Sequence, residues 1–116
     1  MKEQIAKTAH SVHLAYCNEM GLKTQPKWND LELEHQNTIL DSVERILSGE
    51  IKTKEDSHNN FVKFKKSNGW LFGEIYSLIN KTNPRLVDYK NLSLENKVKE
   101  SLFFECVKSF NKWKKH

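Results

Sequence analysis

Trp28, Trp70, Lys81, Arg85 and Tyr89 are the side chains best suited to hold a small ligand. An indole face can stack on a purine ring, and a guanidinium or ammonium can hold phosphates by charge-assisted hydrogen bonds. Arg85 is one of only 2 arginines among 19 basic residues, and its planar fork suits bidentate phosphate contact better than lysine does. Trp28 and Trp70 each have a second reading, as core plugs with their N–H groups tied to backbone carbonyls. That reading is preferred for Trp28, while for Trp70 both stay open.

Other chemistries find less support. His10 and His13 lie three apart on one helix, but no companion ligands stand at a spacing that suits zinc, so no metal is expected. Neither Cys17 nor Cys106 has a convincing His partner, and there is no nucleophile elbow and no phosphate-binding glycine loop. Glu32 and Glu34 sit at a helix start, where compensation of the helix dipole explains them. The chain is therefore read as a non-enzyme without a cofactor, and both cysteines as buried free thiols.

The elements that must position these groups follow from periodicity. Ile5, Ala9, Val12, Tyr16 and Met20 predict an amphipathic helix ending at Gly21. Ile39, Leu40, Val43, Ile46 and Leu47 predict a second, stopped by Ser48-Gly49. Thr53 followed by Glu55-Asp56 reads as the capped start of a third helix, with Phe61 and Phe64 facing inward. Ser93 starts a fourth, whose stripe is Leu94, Val98, Leu102, Cys106, Phe110 and Trp113. Between them, Trp70-Leu71-Phe72 with Ile75-Tyr76 and then Leu86-Val87 read as two short strands around a turn from Asn80 to Pro84. The expected fold is a single domain over 1–116, mostly helical α+β, with about four helices and one short two-stranded ribbon.

Composition sets the class. With 116 residues there is room for one core, and 37% hydrophobic against 29% charged residues implies a well-solvated surface. No apolar run approaches the roughly 18 residues that span a membrane, and the first residues lead straight into the helical pattern with no signal-peptide segment. A cytoplasmic protein is expected. The net charge of +4 can attract phosphate-bearing partners, although lysines scattered over helices are usually just a solvated surface. Nucleic acid ranks last among them, because the lysines lack a recognised motif and any alternation with aromatics.

Longer motifs now acquire meaning. Gly69-Trp70-Leu71-Phe72-Gly73, then Lys81 to Tyr89, resembles the signature of the ryanodine-receptor repeat (RyR) domain: Gly-Trp-x-Tyr-Gly, then Lys-x-His-Pro-x-Leu-Val-x-Tyr. His10, Ala15-Tyr16-Cys17, Gln25-Pro26-Lys27-Trp28, Ser57-His58 with Phe61, and Leu102-Phe103 extend the resemblance in order over nearly the whole chain. Phe72 stands where the family has Tyr, Asn83 where it has His, and Leu92-Ser93 where it has Leu-Pro.

The resemblance implies a binding module. In calcium-release channels the repeats occur in tandem pairs, with a nucleotide site between them that uses aromatic stacking; in bacteria and their viruses they occur alone or fused to immune-signalling modules. Carried onto this chain, the ligand residues are Trp70 for stacking and Lys81, Asn83, Arg85 and Tyr89 for polar contacts. Asn83 removes a titratable ring and Phe72 a hydroxyl, so ligand preference can differ from the family's. The expected function is recognition of a nucleotide-type small molecule (ATP, ADP-ribose or a cyclic nucleotide signal), with sequestration of such a signal as the natural role of a lone copy. A homodimer would rebuild the paired geometry. The alternative is a protein-interaction or structural module without a small ligand. Trp70 and Arg85 both lining one concave, basic pocket would favour the first, and both consumed by core and ion pairs the second.

Overall fold

The computed structural model describes residues 1–111, so the expected helix position of Trp113 lies outside the described residues. Four helices carry the fold: α1 (Lys2–Glu19), α2 (Leu33–Ser48), α3 (Lys54–Ser67) and α4 (Leu94–Ser109). Helices α2 and α4 each pack on the other three helices. The predicted start signals are in place. Thr53 Oγ1 accepts from the Asp56 N–H at 3.0 Å and Ser93 Oγ from the Asn96 N–H at 3.2 Å, each satisfying one unpaired donor of a first turn.

The apolar core joins Ile5, Ala6 and Ala9 of α1 to Val43 and Ile46 of α2 and to Phe104 and Val107 of α4. Trp28, in a 3₁₀ turn (Trp28–Asp30), belongs to this core, as its preferred reading has it. The inward face of α4 is not the expected stripe. Glu100, Phe104 and Val107 are buried, whereas Leu94 is 78% exposed. Apolar residues at 94, 98, 102–104, 106, 107 and 110 wrap most of that helix, so periodicity alone could not choose the face. Cys17 is buried and free, but Cys106, on the flank of the true stripe, is only half-buried.

The ribbon exists with a different second strand. β1 (Leu71–Phe72) pairs in parallel with β2 (Thr82–Asn83), and an antiparallel bridge joins Ser77 to Thr82. The second strand therefore lies inside the expected turn. Pro84 pushes Asn83 toward extended backbone and then occupies a tight turn, closed by the Leu86 N–H to Asn83 O at 3.3 Å. Leu86 is buried but belongs to no strand. No described helix is long and apolar enough to cross a membrane.

Candidate functional site

The site begins at the end of α3. Gly69 takes φ +89°, a left-handed backbone open to glycine, and the chain doubles back so that the Trp70 N–H reaches the Lys65 carbonyl at 3.0 Å. This reversal slides the indole beneath the last turn of α3. The Lys65 ammonium then sits 4.7 Å from the centre of the ring, and Tyr76 packs on it at 5.7 Å. Trp70 is 2% exposed. Its N–H goes to a side chain rather than to a backbone carbonyl, being donated to Glu34 Oε1 at 2.7 Å.

Glu34 is thus more than a dipole-compensating residue. Its second oxygen lies 3.6 Å from the Lys81 ammonium, which also donates to the Asn68 carbonyl at 2.9 Å. Lys81 itself is a non-glycine residue at φ +55°. Its side chain ties the ribbon to the start of α2 and the end of α3.

A hollow of about 540 Å³ opens against this wall. Trp70, Asn83 and Arg85 line it together, with Lys65 from α3 and His35 from α2. Lys81 and Tyr89 are not part of its lining. Tyr89 instead packs edge-on to His58, with the Lys97 ammonium 5.5 Å from its ring. A smaller inner hollow of about 80 Å³ shares His13, Gln25, His35, Arg85 and Lys99 with the larger one.

Arg85 differs from the surface guanidinium that the sequence suggests. Its side chain is 22% exposed, Nη2 is 3.5 Å from Glu100 Oε2, and the group lies 4.6 Å over the Phe61 ring. Glu100 is buried and also meets His58 Nδ1, while His58 Nε2 faces the Val87 carbonyl at 2.7 Å. Both His58 partners are acceptors, so the set is satisfied in full only with one extra proton on the His58–Glu100 pair. Asn83 serves the backbone beside it. Its Oδ1 accepts from the Arg85 N–H at 2.9 Å and shapes the loop that delivers the guanidinium.

The lining of the hollow mixes four cations, Lys23, Lys65, Arg85 and Lys99, with four carboxylates, Asp30, Glu32, Glu34 and Glu95. Burial, reinforced by Arg85, Lys99 and His10, lowers the His13 pKa to about 4. Burial with Lys65, His10, Arg85 and His13 lowers that of His35 to about 3. The Lys65 ammonium is also held below its ordinary range, chiefly by burial; Glu34 opposes this, and Arg85 and Lys81 add to it. Asp30, Glu32 and Glu95 line the hollow as exposed carboxylates. Among the described residues no group of three or more His, Cys, Asp or Glu converges as a metal ligand set.

Sequence reasoning missed Glu34, His35, Lys65, Lys99 and Glu100 as parts of one site. One signal was present: His58, Phe61 and Lys65 recur at spacings of three and four, which places them on one face of α3. No family model matches the chain.

Proposed function

We propose that this chain is a non-enzymatic binding domain of the ryanodine-receptor repeat type that takes a nucleotide-type small molecule, such as ATP, ADP-ribose or a cyclic nucleotide signal. The observation that carries the reading is the hollow of about 540 Å³ with Trp70, Asn83 and Arg85 in one wall. Its size falls within the roughly 300–1,000 Å³ of small-molecule pockets. Trp70 is nearly covered and Arg85 is paired with Glu100, features that count toward the interaction-module alternative. The aromatic contact therefore falls to Tyr76, which packs on Trp70, is 43% exposed and lines the hollow. Arg85 and Lys65 supply phosphate donors. A cytoplasmic location fits the two free thiols.

A thermal-shift screen against a nucleotide panel tests this reading. A ligand present at 100 times its Kd stabilises by about 2.7 kcal/mol, an easily measured shift for a domain of this size. A panel without any stabilising member would overturn it.

A second reading, self-association through a protein interface, has its own support. Phe72, Ile75, Leu78 and Ile79 are exposed, and Ile79 is 94% exposed. Leu78 also lines the hollow, so a second copy seated on this segment would sit beside the ligand. A twofold homodimer is the proposed assembly. Sedimentation should show a dimer that Ile79→Asp converts to monomer; a monomer at every concentration would remove it.

A further inference from the structure

Lys65 is 2% exposed, yet its ammonium meets no hydrogen-bond acceptor and no ion-pair partner among the described residues. Holding an ammonium there, with the Trp70 ring against it and only slight contact with the hollow, is costly. Its nearest electrostatic counterweight, Glu34, is already engaged by the Trp70 N–H and by Lys81. Arg85 differs in being paired with Glu100 through Nη2, while its Nε, buried from solvent, has no acceptor. His35, across the hollow on α2, forms no side-chain hydrogen bond among the described residues and lines the same cavity. Lys65 and His35 thus line one space without an acceptor, and Arg85 lines it beside them while paired through Nη2 with Glu100.

We infer that Lys65, Arg85 and His35 form a subsite for a compact dianion of the phosphate type, placed at the depth of the hollow. The inference rests on reading the hollow as a ligand site, and it names the group bound there. The acidic side chains nearby do not fill this need. Glu100 is held by His58 and Arg85, Glu95 by Lys99 at 3.2 Å, and Asp30 and Glu32 are exposed to solvent screening.

A proton linkage follows from the same geometry. In the free protein His13 and His35 are neutral near pH 7, since burial and the surrounding Lys65, Arg85, Lys99 and His10 lower them to about 4 and about 3. A dianion among these cations favours the imidazolium forms and raises both pKa values. Affinity therefore rises as pH falls through the bound-state values and levels off below the free-state ones.

Sulfate is the probe, because its charge does not change over the pH range used. Titration of the full chain with sodium sulfate, against sodium chloride at matched ionic strength, is followed by thermal shift and by NMR of the histidine rings. The expected result is a saturable sulfate-specific shift of His35 and His13, stronger at lower pH. Lys65→Met separates this role from a structural one. Replacing this nearly covered cation by an apolar side chain of similar length leaves the fold about as stable, while sulfate affinity falls tenfold or more. Loss of stability in Lys65→Met with an unchanged sulfate response overturns the inference, as does a response that chloride reproduces. If a nucleotide binds but sulfate leaves His35 unmoved, the inference fails and the ligand reading survives. If sulfate acts at His35 and Lys65 while no nucleotide binds, the subsite stands and the nucleotide reading falls.

Discussion

Glu34 is the residue on which the wall of the hollow turns. It fixes the Trp70 indole at 2.7 Å and holds Lys81 against the end of α3. Glu34→Ala should leave a buried indole N–H without its acceptor, at a cost of about 1–3 kcal/mol in urea unfolding. Glu34→Gln keeps an acceptor of similar reach, and about half that loss or less is expected. The His58–Glu100 pair is a harsher case. Removing one member of a buried pair typically costs about 3–5 kcal/mol, because the other charge stays buried. His58→Ala should therefore lower the urea midpoint far more than Glu34→Gln does. Arg85 keeps Glu100 partly compensated, so a smaller loss in His58→Ala would assign the main share of that compensation to Arg85.

Two glycines decide how α3 hands the chain to the ribbon. Gly69 is left-handed at φ +89°, a conformation that costs a residue with a Cβ about 1–2 kcal/mol. Gly69→Ala should lose that much stability and displace Trp70 from beneath Lys65, seen as a change in Trp fluorescence. At Gly73 the constraint is space. A Cβ there would stand 2.6 Å from Thr82 Cβ, a distance at which something must shift. Gly73→Ala should pry β1 from β2 at about 1–3 kcal/mol, the usual penalty for overpacking. Because Thr82 also donates to the Ile75 carbonyl at 2.8 Å, the exposed segment 75–79 should become easier to cleave by limited proteolysis.

The domain as a unit carries two imidazoles that titrate below their ordinary value, and this sets its response to acid. His13 and His35 fall from 6.5 to about 4 and about 3 on folding. Between 6.5 and those values the unfolded chain binds more protons than the folded one, so stability rises with pH. Their contribution is whole above pH 6.5 and is lost as pH falls toward 4 and below. Each lowered unit is worth about 1.4 kcal/mol, so the loss on acidification to pH 4 is on the order of 3 kcal/mol for each ring. Thermal melts should show Tm dropping from neutral pH toward pH 4, with a shallower slope in His35→Gln. A pH-independent Tm in that range would mean that neither ring is buried in solution.

Helix positions, their caps and their stops were legible in the chain because they obey short-range rules. Thr53 and Ser93 cap as side chains within three residues of their partners, and glycine ends α2 where a left-handed residue is required. Two sets of groups were visible in outline: Trp70, Asn83 and Arg85 do share one wall, while Lys81 and Tyr89 serve its support and a neighbouring cluster. The remainder rests on pairs far apart in the chain. Trp70 and Glu34 are 36 residues apart, and His58 and Glu100 are 42 apart. Whether Glu34 compensates a helix dipole or grips an indole depends on which helix end lies beside it, and no local pattern encodes that. Lys65 shows the limit most clearly. On α3 it is one lysine among several; only the crossing of α3 over the reversed Trp70 segment covers it against the indole. Periodicity locates the helices but could not choose the inward face of α4, and the charges that meet inside are set by how the helices cross.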